Sequence, residues 1–238
     1  PLKGCPQGWC NNWSSLMKKG FFIVLFFFIF FTPYLSGYIR VYYVLYGNST
    51  LGDCIYIELP GNDGKLDTSD DVNVIIDGGH ISDRSNPELY LDDFLNSKGI
   101  KTINHMVLTH PDDDHSNGLK MIMDNYVVEN FYCTGQTEVD EMNSDNSNRI
   151  SNEGCSVWKI SDFVNSTGKV VYDCYLSGPK CNYGPNWDNN VEVRVLSADD
   201  SATGNARSLV LKLFYGKSSF YFGGDAEGLQ ESNIMVTT

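Results

Sequence analysis

The chain has 238 residues, enough for one sizeable core and too few to demand two domains. Its formal net charge is −13, and beyond Gly37 the 14 basic residues face 30 acidic ones, a balance of −16. So acidic a surface repels polyanions and counts against tight, non-specific nucleic-acid binding, though not against a local groove or a metal-bridged phosphate.

In chain order, Met17-Lys18-Lys19 precedes an eleven-residue apolar run, Phe21 to Phe31, with the small residues Ser36 and Gly37 beyond it. A basic stretch, a short apolar stretch and small residues make the pattern of a secretory signal. The run is short for a membrane span, which needs roughly 20 apolar residues. Tyr34 makes the cleavage site imperfect, so 17–37 reads as a signal peptide with an uncleaved N-terminal anchor as the alternative. The corresponding destinations are secreted, periplasmic or cell-surface, or else membrane-anchored. Residues 1–16 read as translated upstream sequence, and the whole as part of a longer frame.

Residues 40–46 and 53–59 are expected as strands joined by a Gly/Asn/Ser turn. A polar loop over 60–71 leads to a third strand, 72–76, ending in Asp77-Gly78-Gly79. Leu89, Leu91, Phe94 and Leu95 fall on one face of a helix over 88–98. The next strand, 103–109, runs into His110-Pro111-Asp112-Asp113-Asp114-His115, and a helix follows with Ser116 or Asn117 as its cap. Another strand is expected over 127–132. The stretch 134–190 reads as loop, with short strands near 156–160 and 169–176. Strands resume over 191–196, 208–215 and 219–222, the last ending in Gly223-Gly224-Asp225. The pattern predicts a layered α/β domain rather than a bundle or a doubly wound sheet.

Of the five cysteines beyond the leader, Cys54 reads as a small buried hydrophobe. Cys133, Cys155, Cys174 and Cys181 lie in sequence read as polar and loop-rich, where export permits two disulfides in any of three pairings. No Cys-x-x-Cys is present, which argues against a structural zinc ribbon. Asp63-Gly64 to Asp70 matches the second half of a calcium loop, but Leu59 and Gly61 fill the places of the first ligands. An acidic hairpin loop is the better account. His80 reads as a solvated loop residue and His105 as structural.

The cluster at 110–115 carries the chemistry. Three carboxylates this close repel one another unless a cation offsets them, and imidazole with carboxylate is the ligand set of hydrolytic zinc and manganese sites. The cluster resembles the His-x-His-x-Asp-His signature of the metallo-β-lactamase fold superfamily. It is closer still to the His-Pro-Asp-x-Asp-His-x-x-Gly form of the C-terminal domains of ComEC-type DNA-uptake proteins. Further landmarks of that branch fall in order: Gly52-Asp53-Cys54-Ile55, Ile75-Ile76-Asp77-Gly78-Gly79, Asn205-Ala206-Arg207-Ser208-Leu209-Val210-Leu211 and Gly224-Asp225.

The resemblance covers roughly 38–238 and implies a four-layer αββα sandwich, incomplete at the C-terminus. By matching positions, His110 and Asp112 would serve a first metal and Asp114 and His115 a second. Asp225 would bridge both. Asp114 and His115 would also take part in catalysis, Asp77 would stand behind the ligand loop and orient it, and Asp53, Asn205 and Ser208 would line the site. Asp112 stands where the wider superfamily has a second histidine, which makes the site more oxygen-rich and shifts preference from zinc towards manganese or magnesium. The family's last His-rich turn is absent before Thr238, so the second metal would lack a ligand.

The resemblance thus implies an exported hydrolase with two divalent metal ions, zinc or manganese, and a metal-activated hydroxide. A phosphodiester such as DNA is the implied partner, and no protein partner is indicated. Two alternatives remain. One is a hydrolase of small substrates such as nucleotides, lactones or β-lactams; the other is a non-catalytic secreted binding domain that keeps the fold.

Overall fold

The computed structural model describes residues 37–44, 52–79, 87–145, 147–162, 175–177 and 185–237. The signal-like segment before Gly37, the turn at 47–51, His80, Cys174 and Cys181 lie outside them. Strands β1 (Arg40–Tyr43), β2 (Ile55–Leu59), β3 (Val72–Ile76), β4 (Thr102–Val107), β5 (Val127–Cys133) and β6 (Ser156–Lys159) form one sheet in that order. Pairing is antiparallel from β1 to β3 and parallel from β3 to β6. The second sheet is antiparallel: β7 (Tyr175–Ser177), β8 (Val191–Ser197), β9 (Val210–Tyr215) and β10 (Ser218–Phe222).

The two-residue period of a strand sorts the side chains. Ile55, Ile57, Leu59, Val74, Ile76 and Val107 turn inwards to meet Val191, Val193, Val195, Leu211 and Leu213 of the second sheet. Tyr56, Ile75, Met106 and Phe131 point the other way, onto helices α1 (Pro87–Ser97) and α2 (Asp113–Asn125). Leu91 and Leu95 of α1 are fully buried there, each contributing roughly 1.5–3 kcal/mol. On the far side, Ile234 of α5 (Gly228–Thr237) packs on Leu196 and Val210. The result is helices, sheet, sheet, helix: the four-layer α/β sandwich that was expected. No helix among the described residues is long and apolar enough to cross a membrane.

Several local expectations need correction. The helix expected after His115 begins at Asp113, not beyond Ser116, because Asp113 and Asp114 favour the positive end of a helix and draw it back into the acidic run. Two short helices, α3 (Gln136–Met142) and α4 (Arg149–Glu153), occupy sequence read as loop; their apolar stripes are only Val139, Met142 and Ile150. Ser208 and Leu209 precede β9 rather than open it, following a turn of 3-10 helix at Gly204–Arg207. Among the described residues neither Cys133 nor Cys155 is in a disulfide, so two bridges among the four cysteines do not form, while Cys174 and Cys181 lie outside the described residues. Cys133 is a free thiol buried on β5 and Cys155 a free, half-buried one, because the stretch around Cys133 is core strand rather than loop.

Other expectations hold. Cys54 is buried. His105 packs inside β4, stacked on Trp187 at 5.1 Å with Nδ1 3.1 Å from the Tyr132 hydroxyl, and burial pushes its pKa down to about 3. The 60–71 loop is an acidic hairpin connection. Its carboxylates accept from its own backbone: Asp70 Oδ2 from the amides of Asn62 and Asp63, and Asp71 Oδ2 from that of Asp67.

Candidate metal centre

Parallel strands β3 and β4 both end at one edge of the first sheet, the place where open α/β sheets hold their ligands. There Asp77 takes a left-handed backbone, φ 56°, that turns the chain out of β3. Gly78 then passes against Gly118 of α2 so closely that a Cβ on Gly118 would stand 1.9 Å from the Gly78 carbonyl oxygen. The glycines therefore let the β3 turn and α2 meet backbone to backbone, which brings His115 over Asp77.

Asp77 is 1% exposed and fully used. Its Oδ1 accepts the Thr109 amide at 2.8 Å, and its Oδ2 accepts the Thr109 hydroxyl at 2.7 Å. His115 Nδ1 donates to the same Oδ2 at 2.9 Å. A hydroxyl that gives its proton to Asp77 can only accept from His110, whose Nδ1 lies 3.1 Å away. Both rings thus have Nδ1 tied behind them and present Nε2 forwards, the usual arrangement of a metal-binding histidine.

Those two Nε2 atoms are buried and have no hydrogen-bond partner. The rings lie 4.0 Å apart, centroid to centroid. His110 Nε2 is 3.7 Å from Asp112 Oδ2, and His115 Nε2 is 3.9 Å from Asp114 Oδ2 and 3.4 Å from Asp225 Oδ1. Donor atoms of His110, His115 and Asp225 all lie within 4.8 Å of one another. The imidazoles form a closed floor, while the side chains of Asp112, Asp114 and Asp225 are 50%, 33% and 41% exposed and form an open rim.

Asp225 reaches the floor from the other sheet, in the turn after β10. Gly224 fits against Thr109 there, and a Cβ on it would stand 2.7 Å from Thr109 Oγ1. The Leu209 amide donates to the Thr109 carbonyl at 2.8 Å and ties the start of β9 to the same loop.

Orphaned floor nitrogens below a carboxylate rim fit a divalent cation. Electrostatics agree. Burial disfavours a charge on His115, but its hydrogen bond to Asp77 and the charges of Asp77, Asp225 and Asp114 outweigh that and lift its pKa to about 9. A field that holds a proton on a buried imidazole holds a cation by the same attraction. Asp53 shares this field: partial desolvation and then the charge of Asp77 raise its carboxyl above the usual range, with Asp225 and Asp114 adding to this and His115 opposing it.

The structure thus brings His110, Asp112, Asp114, His115 and Asp225 together, with Asp77 behind them. Ser208 is fully buried next to Gly224, and its hydroxyl has no partner. The Asn205 side-chain amide donates to Glu227 at 3.2 Å. Sequence reasoning passed over Thr109, which bonds Asp77 and His110 at once; a threonine at the strand end just before the first histidine was the available signal. Glu138 was also missed. It is fully buried in α3 and grips Arg207 at 2.9 and 3.1 Å, anchoring the segment that leads to Ser208.

The family model described as Metallo-beta-lactamase superfamily matches residues 60–232. The chain belongs to the metallo-β-lactamase superfamily. Members of this superfamily are generally metal-dependent hydrolases, and the chain carries their fold. Among solved structures it is similar to the metallo-beta-lactamase fold protein YhfI from Bacillus subtilis, with 11% identity and a TM-score of 0.38. That match covers 79% of this chain and 62% of the Bacillus one, so the chain spans less than two thirds of that protein's length. No curated protein matches the chain.

Proposed function

We propose that this metallo-β-lactamase-fold protein is an exported, metal-dependent phosphodiesterase of the ComEC-type branch. The observation that carries the reading is the pair of buried, unpartnered Nε2 atoms of His110 and His115 facing Asp112, Asp114 and Asp225. His110 and Asp112 would hold one divalent ion, manganese or zinc, and Asp114 and His115 a second, with Asp225 shared between them. Ions bound there would supply Lewis acidity towards a phosphoryl oxygen and bring the pKa of water towards neutrality.

The chain's own residues do the rest. Asp77 keeps a proton on His115 Nδ1 and Thr109 faces His110 Nδ1, so neither ring can turn away from the site. The exposed rim admits substrate from solvent, whereas the buried floor excludes water from the side of the imidazoles. Asp112 in place of an imidazole favours a hard cation and a phosphate oxygen over a soft ligand. The apolar run after Met17-Lys18-Lys19 supports export.

The test is turnover of bis-p-nitrophenyl phosphate with manganese and with zinc, beside metal content. Activity that is lost in both Asp112→Ala and Asp225→Asn supports the reading. Bound metal with no phosphodiester turnover, but with opening of a lactone or β-lactam, overturns it in favour of a small-substrate hydrolase. The chain's net charge of −13 is the observation that favours that second reading.

A further inference from the structure

His110 lies in the loop that leaves β4, and His115 in the first turn of α2. Two segments of different geometry thus bring one imidazole each to the same locus. Thr109 holds Nδ1 of one ring and Asp77 holds Nδ1 of the other, so neither Nε2 can swing away, and both stay buried and unpartnered. Asp225 Oδ1 closes the group at 3.4 Å from His115 Nε2, and donor atoms of the three residues all lie within 4.8 Å of one another.

Divalent zinc bonds to nitrogen and oxygen at about 2.0–2.2 Å, so two donors on one ion stand at most about 4.4 Å apart. The three atoms here are nearly that close before any ion draws them in. Asp112 and Asp114 stand outside this group. Their carboxylates are half and one-third exposed, at 3.7 Å from His110 Nε2 and 3.9 Å from His115 Nε2. A locked imidazole binds without an ordering cost, whereas an exposed carboxylate gives up rotamer freedom to do so. Two imidazoles and one carboxylate are, moreover, a three-ligand set of zinc sites that keep a fourth position open.

We propose that the first ion to enter is held by His110, His115 and Asp225 together, in a single nitrogen-rich seat that selects zinc. The inference rests on the metal reading above and concerns the order in which the site fills. Asp112 and Asp114, all oxygen and facing solvent, recruit the second ion and favour a harder one, manganese over zinc. One histidine per ion describes the filled site, reached when the second ion draws the donors apart; both histidines on one ion describe the site at one ion per chain.

The experiment is zinc X-ray absorption on the metal-free full chain loaded with one equivalent of zinc, where the fine structure counts imidazoles per ion. Two imidazoles are expected in the wild type. His110→Ala and His115→Ala should each lower the count to one and weaken that same first zinc in competition with a chromophoric chelator. Asp112→Asn should keep the count at two. A wild-type count of one overturns the shared seat and leaves the hydrolase reading intact, as does a histidine variant that loses one ion and keeps the other's dissociation constant. A wild-type chain that binds neither zinc nor manganese overturns both.

Discussion

Asp77 Oδ2 and His115 Nδ1 stand 2.9 Å apart, both side chains 1% exposed, in a hydrogen bond that no solvent shares. The carboxylate therefore sets which nitrogen of the imidazole carries the proton. Asp77→Asn removes that control, since an amide can offer His115 either a donor or an acceptor. We expect metal affinity to fall about 10–100-fold, with the fold retained. Competition with a chromophoric chelator measures it, and unchanged affinity would show that the pair is only structural.

Gly118 lies within α2, where alanine normally stabilises a helix by up to about 1 kcal/mol. Here the added Cβ meets the Gly78 carbonyl oxygen at 1.9 Å, and a backbone atom cannot step aside as a side chain can. Gly118→Ala should therefore destabilise by about 3 kcal/mol, the upper part of the range for overpacking. The urea midpoint reads it; a gain in stability would refute the close approach.

Glu138 and Arg207 form a buried pair joined at 2.9 and 3.1 Å, and Glu138 also accepts the Gly135 amide at 2.8 Å. Removing one charge leaves the other short of its partner, although Arg207 keeps Asp200 at 2.7 Å. Glu138→Gln should cost about 3 kcal/mol. Chemical denaturation checks this, and a loss below about 1 kcal/mol would mean that Asp200 compensates fully.

His105 gives a pH signature. Burial holds it neutral in the folded protein down to about 3, against an ordinary value of 6.5. Between those values the unfolded chain binds the extra proton, so stability is fully present above 6.5 and declines as pH falls towards 3. The slope from this group approaches about 1.4 kcal/mol per pH unit. His105→Gln should flatten the stability profile of the wild type in that window. A parallel pair of profiles would mean that His105 takes up its proton without unfolding.

Much of this was legible in the sequence because it is local. The alternation of Val72 to Ile76 gives a strand that starts and stops where expected, and the residues from His110 to His115 declare their chemistry by crowding. What escaped depends on contacts between distant segments. The short helix of Gln136–Met142 has too few apolar residues to show a period, and it is held by Glu138 reaching Arg207, 69 residues away. Cys133 read as a loop cysteine because the expected strand stopped at residue 132, whereas pairing with Lys159 of β6 carries the strand one residue further. Thr109 offered only its place at the strand end; its role shows once Asp77, 32 positions earlier, lies against it.

The floor of the centre belongs to the first sheet and Asp225 to the second, 3.4 Å from His115 across the seam. An ion gripped by both would act as a clasp on the sandwich, so occupancy and the docking of its two halves become one equilibrium. At a free metal concentration 100 times the dissociation constant, that linkage is worth about 2.7 kcal/mol. The protein's resistance to unfolding would then follow the metal supply of its surroundings, and chelation would loosen the molecule along the seam where its chemistry is done.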